Sequence, residues 1–277
     1  MSSLSGKTII MSGGSRGIGE AIALRAAADG ANVALIAKTT EPHPKLPGTI
    51  YTAAKAIEEA GGQALPIVGD IRDDESVAAA IEQTVSRFGG IDIVVNNASA
   101  IDLTPTEQVS MKRYDLMQDI NARGSFLLAK LAIPHLRKAE NPHILTLSPP
   151  ISLDPKWFEA GHLAYSIAKY SMSLVTVGLA AELRKDGVAA NSLWPRTTID
   201  TAAIRNVVGA ELANRSRTPE IMADAAHAIL VRPSREHTGN FYLDDEVLAA
   251  EGVTDFSKYR IAGEESDLQL DFWVEPA

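Results

Sequence analysis

Thr8-Ile9-Ile10-Met11-Ser12-Gly13-Gly14-Ser15-Arg16-Gly17-Ile18-Gly19-Glu20-Ala21-Ile22-Ala23-Leu24-Arg25 is the stretch whose reading decides the fold. A short apolar strand, Thr8 to Met11, runs through a glycine-rich turn into a helical pattern. A sharp strand-to-helix turn needs glycine where a side chain would block it. The freed backbone N–H groups then face whatever sits at the helix N-terminus, where aligned peptide dipoles place roughly half a positive charge. An anion is the expected guest, most often a dinucleotide pyrophosphate. Gly13, Gly17 and Gly19 give the spacing G-x-x-x-G-x-G, which matches the generic dinucleotide fingerprint only loosely.

Outward from this turn the chain alternates. Asn32 to Ala37 reads as a buried strand, a proline-rich loop runs from Glu41 to Gly48, and a helix from Ile50 to Ala60 stops at Gly61-Gly62. Strand three is Ala64 to Val68; Asp73 caps a helix carrying Val77, Ile81 and Val85; strand four is Ile91 to Val95. A long helix from about Met111 to Leu136 follows, then strand His143 to Leu147, helix His162 to Arg184, strand Val188 to Leu193, a helix from near Pro219 to Leu230, and strand Phe241 to Leu243. This order predicts an α/β fold: one doubly wound, mainly parallel sheet of Rossmann type, seven-stranded, with helices on both faces. The expected division is a domain over residues 1–254 and an acidic C-terminal extension over 255–277, whose Phe272 and Trp273 suggest docking, on a second subunit among the options.

Composition narrows the function classes. The 277-residue chain carries 35 acidic and 26 basic side chains, a net charge of −9 that opposes nucleic acid and anionic membrane surfaces as partners. It has no cysteine, which excludes disulfides, thiol catalysis and cysteine metal sites, and its six histidines form no H-x-x-x-H pair, so no metal site is expected. No run of about eighteen apolar residues suggests a membrane span, and strand one begins too early to leave room for a signal peptide, so the expectation is a cytoplasmic protein.

Ligands of open α/β sheets lie outside the carboxyl ends of the strands. Strand three ends at Gly69-Asp70-Ile71, where Asp70 either accepts from the exocyclic amine of adenine or caps a helix. Strand four ends at Asn96-Asn97-Ala98-Ser99, small enough for the backbone to approach a ribose while the asparagines bridge strands. Asn121 sits amid good helix formers, a poor choice for a buried helix unless its amide has work to do. Tyr165 and Lys169 share a helix face at i, i+4, so the ammonium is expected to draw the phenol down from its usual value of about 10 and make Tyr165 a general acid or base.

Together these pieces resemble the short-chain dehydrogenase/reductase family over roughly residues 5 to 245. Ser12-Gly13 through Gly19 is similar to its glycine turn, Asn96-Asn97-Ala98-Ser99 to its Asn-Asn-Ala-Gly, and Tyr165 with Lys169 to its catalytic pair; Asn121 falls where the family places a fourth catalytic residue. The resemblance implies that Tyr165 gives a proton to a carbonyl while nicotinamide gives hydride, that Lys169 holds the nicotinamide ribose, and that Asn121 positions a water. It implies a cofactor site of Gly13, Ser15, Arg16, Gly17, Ile18, Gly19, Lys38, Asp70, Ile71, Asn97, Ala98, Lys169 and Pro195, and a homodimer or homotetramer formed through the helices beginning near Met111 and His162. The stretch from Ile199 to Arg217 resembles the family's mobile lid.

Three departures stand out. The family's substrate-binding serine is replaced by Pro149, leaving Ser148 or Ser152 as substitutes; Pro195-Arg196 stands for Pro-Gly; Ser99 stands for glycine. Ala37 ends strand two where NAD-preferring relatives carry an acid, and Arg16 and Lys38 offer two cations to a 2′-phosphate, so NADP(H) is the expected cofactor. Trp157, Phe158 and Trp194 point to an apolar, lipid-like or steroid-like substrate, or else to ordinary core or interface packing. Two functions compete: an NADP(H)-dependent oxidoreductase, favoured by Tyr165, Lys169 and Asn121, and a cofactor-binding sensor or scaffold without turnover, suggested by Pro149.

Overall fold

A computed structural model describes residues 3–42, 48–207 and 210–276. Seven strands form one parallel sheet in the order β3-β2-β1-β4-β5-β6-β7, built from β1 (Thr8–Ser12), β2 (Asn32–Ala37), β3 (Gln63–Val68), β4 (Ile93–Asn96), β5 (His143–Thr146), β6 (Ala189–Trp194) and β7 (Phe241–Leu243). Every residue of β1, β4, β5 and β6 is buried, as expected of central strands covered on both faces. One core packs α1 (Gly17–Ala27), α2 (Ile50–Glu59) and α9 (Glu220–Leu230) on one face, and the other packs α3 (Asp74–Phe88), α5 (Gly124–Leu136) and α6 (Leu163–Glu182) on the opposite face. Asp73 caps α3 as expected, accepting from the Ser76 N–H at 2.6 Å. Residues 43–47 of the proline-rich loop lie outside the described residues.

β1 pairs with both β2 and β4, so strand order reverses beside it and a crevice opens at its carboxyl end. The helix expected from Met111 to Leu136 forms over those residues, with a π turn inside it. It runs as α4 (Met111–Met117), one π turn over Gln118–Arg123, and α5. Asn121 is the fully buried residue of that turn; both ends of its amide bind the Ala100 backbone, Oδ1 accepting from N–H at 2.7 Å and Nδ2 donating to the carbonyl at 3.0 Å. π turns recur at functional sites because they re-aim a side chain within a helix. The 199–217 stretch contains α7 (Ala202–Val207) and α8 (Ala210–Ala213). α6, at 20 residues, has the length and mean hydropathy of a membrane span, yet 61% of its most apolar window is buried within the protein, as in a core helix.

The C-terminal residues dock on their own chain. After α10 (Asp244–Ala250), Arg217 bridges Arg260, and Leu270 bridges Thr197 antiparallel. The Asp271 N–H donates to the Arg196 carbonyl at 2.9 Å, and the Trp194 indole N–H donates to the Phe272 carbonyl at 3.0 Å. Arg196 holds this arrangement. Its guanidinium, 8% exposed, donates to Asp245, to Glu246 and to the Glu275 carbonyl. Replacing the expected glycine with this arginine ties the C-terminal segment to the end of β6. Arg196→Met strands a largely buried acid, and the expected loss is about 3 kcal/mol, read as a lower urea midpoint with a red-shifted Trp273 emission; an unchanged midpoint would show that the segment is held by its aromatics alone.

Candidate active site

At the crevice, the β1–α1 turn and the end of β4 approach so closely that side chains have no room. A Cβ on Gly13, whose φ is +74°, would come 2.9 Å from the Ala98 Cα, and one on Gly19 would come 2.4 Å from the Asn97 amide nitrogen. That nitrogen donates to the carbonyls of Ser12 at 3.1 Å and Gly13 at 2.8 Å, while the Ser12 hydroxyl accepts from the N–H groups of Asn97 and Ala98. The expected bridging by Asn96 also holds, through Thr146 at 3.3 Å.

The crevice is a cavity of about 440 Å³ lined by Gly13, Ser15, Arg16, Gly17 and Ile18, by Lys38, by Asp70 and Ile71, and by Asn97 and Ala98. Every cofactor residue inferred from sequence is therefore gathered there, except Gly19, which packs behind on Asn97, and Lys169 and Pro195, which line the adjoining cavity. Sequence reasoning passed over Thr39 and Thr201, which also face this space. The volume lies within the usual range for small-molecule sites, and the turn with the α1 N-terminus supplies the anion-facing N–H groups, so these residues fit a dinucleotide.

Both cations already have partners. Lys38 Nζ donates to Asp70 at 2.9 Å and Arg16 donates to the Gly48 carbonyl at 3.0 Å. Asp70 caps no helix; its carboxylate also accepts a forked pair from Arg72, and that contact, with Lys38 behind it, holds the carboxyl well below its usual range.

The adjoining cavity, about 170 Å³, contains Tyr165 and Lys169 with Ser99, Trp194, Asp271 and Phe272 among its walls. Tyr165 is 5% exposed and Lys169 3%. The phenol does not come down as i, i+4 spacing predicts. Burial pushes it up, the Asp271 charge pushes the same way, and the neighbouring Ser99 hydroxyl only partly offsets them. Lys169 Nζ donates instead to the Leu147 carbonyl at 2.9 Å, and burial lowers the ammonium to about 7.

Neither expected substitute for the missing serine reaches the phenol. Ser148 is fully buried and bonds Ser192 at 2.8 Å, beneath the strands, whereas the Ser152 hydroxyl accepts from the Asp154 N–H. The hydroxyl beside Tyr165 belongs to Ser99, and Asn121 fixes the next residue, Ala100. Nothing in spacing could reveal this, because Ser99 follows a different strand. Phe272 and Trp273 roof the phenol, with ring centroids 6.3 and 5.7 Å from it; two aromatics in an acidic tail were their only sequence signal.

The sequence profile described as short chain dehydrogenase matches residues 7–211. Hydroxysteroid dehydrogenase-like protein 2 of Danio rerio is 56% identical over 258 residues, 93% of this chain and 61% of that protein. The human protein of the same name is 49% identical over 272 residues, 98% of this chain and 64% of that one. The chain thus spans under two thirds of the length of these relatives. Among solved structures, a short chain dehydrogenase from Mycobacterium thermoresistibile is 59% identical with a TM-score of 0.93, covering 99% of this chain and 96% of its own. A crystal structure from Xanthomonas campestris is 56% identical with a TM-score of 0.95, covering 99% and 100%. With the strand-order crevice, the glycine turn and the Tyr165–Lys169 pair in their expected places, these matches make the chain a member of the short-chain dehydrogenase/reductase family, whose members use nicotinamide dinucleotides.

Proposed function

We propose that the chain is an NADP(H)-dependent oxidoreductase acting on a small apolar carbonyl or the corresponding alcohol. The observation that carries this reading is the meeting of Tyr165, Lys169 and Ser99 in one buried cavity that opens beside the glycine crevice. When bound, the dinucleotide supplies the hydride. Tyr165 holds its proton, because burial disfavours phenolate, and is placed to donate it to a carbonyl oxygen as that oxygen gains charge. Ser99 donates a second hydrogen bond to the same oxygen, in the role of the missing serine. Lys169 holds the ribose and stabilises the phenolate left after transfer. Asn121, its amide committed to Ala100, serves by fixing the loop that carries Ser99.

The substrate walls are apolar: Ile101, Trp194, Ile199, Met222 and Phe272 surround the polar group. Their apolar character favours an apolar substrate beside the phenol. For the cofactor, β2 ends in Ala37, so no acid there repels a 2′-phosphate, and Arg16 and Lys38 both line its side of the crevice. Association of subunits through α5 and α6 is supported by exposed apolar side chains there, Phe126 at 52%, Leu174 at 60% and Val177 at 42%. Against the rival sensor reading stands Ser99, a hydroxyl beside the phenol at the cavity that Pro149 cannot serve.

Two measurements test the proposal. Tyr165→Phe keeps the ring packed but removes the proton, and the expected fall in kcat for NADPH-dependent reduction of aliphatic aldehydes and ketones is about 10²- to 10⁴-fold; full retained activity would refute the proton donor. Lys38→Ala is expected to weaken NADPH binding by about tenfold while leaving NADH within a factor of two, on the scale of one charge-assisted contact. Equal loss for both cofactors in a fluorescence titration would remove Lys38 from 2′-phosphate recognition.

A further inference from the structure

The cavity around Tyr165 is lined by one basic and one acidic side chain, Lys169 from α6 and Asp271 from the C-terminal segment. Among the described residues, Lys169 Nζ has one hydrogen-bonded partner, the Leu147 carbonyl, and it lies 5.0 Å from the centre of the Trp194 ring, whose π face attracts the charge. A carbonyl and an aromatic face are modest compensation for an ammonium taken out of water. Asp271 arrives from the C-terminal segment. Its backbone is pinned to Arg196, its neighbour Leu270 pairs with Thr197, and Phe272 is held by the Trp194 indole. One carboxylate oxygen accepts the Phe272 N–H at 2.7 Å, and the group faces the cavity that Lys169 enters.

We propose that Asp271 is a positioning residue of the reaction site, the counter-charge that keeps the buried Lys169 an ammonium, so that the C-terminal segment completes the Tyr165–Lys169 pair. The role in turnover rests on the redox reading above; the placing of both groups on one cavity does not. Burial drives Lys169 down and Asp271 opposes this, while burial drives Asp271 up to about 7 and Lys169 opposes that in turn. The surrounding groups leave the task to this pair. On α6, Tyr165 is a neutral phenol and His162 is lowered by burial. After β6, the Arg196 guanidinium turns away to Asp245 and Glu246. At the head of α10, buried Asp244 pushes Asp271 further up, and Lys169 is the cation that opposes this.

The sign follows from the lowered lysine. An ammonium with a depressed value is lost as pH rises through that value, so removing the carboxylate moves the loss to lower pH. The seated segment is itself held against strain: Trp273 is the one residue other than glycine with positive φ among those described, at 61°. Its position is over-determined by the anchors around Arg196, as a segment delivering a functional group requires.

The test is a pH titration of the full chain labelled with 13C-lysine, following the Lys169 Cε resonance, assigned by its disappearance in Lys169→Arg. Asp271→Asn retains the acceptor for the Phe272 N–H and is expected to lower the Lys169 midpoint by about 1 on the pH scale, a tenfold change in proton affinity. Asp271→Ser serves if the amide disturbs folding. Glu275→Gln removes a carboxylate paired with Lys156 elsewhere in the same segment and is expected to leave the midpoint in place. An unmoved midpoint in the Asp271 variants, or an equal shift in Glu275→Gln, overturns the proposal. In parallel, the alkaline fall of NADPH-dependent turnover should move acid-ward by the same tenfold in Asp271→Asn. Absence of turnover by the wild-type chain would remove the redox reading while the lysine titration still decides the role of Asp271.

Discussion

The amide of Asn97, bonded to the carbonyls of Ser12 and Gly13, is the contact on which the two cavities depend. It sits where β1 stops and β4 stops, at the reversal of strand order, and pulls the glycine turn against the end of the neighbouring strand. Gly13 and Gly19 are required by that approach, since a methyl group on either would collide with Ala98 or with the amide itself. One short side chain thereby sets the floor of the dinucleotide crevice. It also fixes the start of the loop that delivers Ser99 to Tyr165, whose far side Asn121 holds at Ala100.

The second half of the site depends on a cation. Arg196 stands where relatives of this fold are expected to turn with glycine, and its buried guanidinium gathers Asp245, Glu246 and the Glu275 carbonyl around the end of β6. Because the last residues are tethered there, Phe272 and Trp273 roof the phenol and Asp271 enters the cavity beside Lys169. Burial then governs the chemistry: it keeps the phenol protonated and weakens the ammonium, the reverse of what a simple through-space lysine–tyrosine pairing predicts. A roof that excludes water strengthens every remaining charge in the cavity and narrows what can be bound.

Much of this was legible in the chain. Apolar runs of four to six residues separated by helices identify a parallel sheet because such strands are covered on both faces and need no alternation. Gly13, Gly17 and Gly19 announce a turn without side chains, and Tyr165 with Lys169 must share a helix face. The π turn at Asn121 was visible only as an odd residue in a helix; its buried amide meets the Ala100 backbone across the loop. Ser148 and Ser152 were the natural substitutes for a missing hydroxyl because they are near Pro149 in sequence, yet the one that faces the phenol, Ser99, is near it only in space.

By itself, then, the sequence determined the layer architecture, the anion-facing turn and the shared helix face of Tyr165 and Lys169. These rest on periodicity, glycine geometry and spacing within single elements, all of which are local. The tertiary structure alone decided which hydroxyl meets the phenol, that the C-terminal segment returns to its own domain, and that Asp271 shares a cavity with Lys169 across about a hundred residues of chain. Those outcomes depend on long-range closure, in which the burial of Arg196 and the packing of Trp273 on Tyr165 and Trp194 select one return path, and no local pattern encodes that choice.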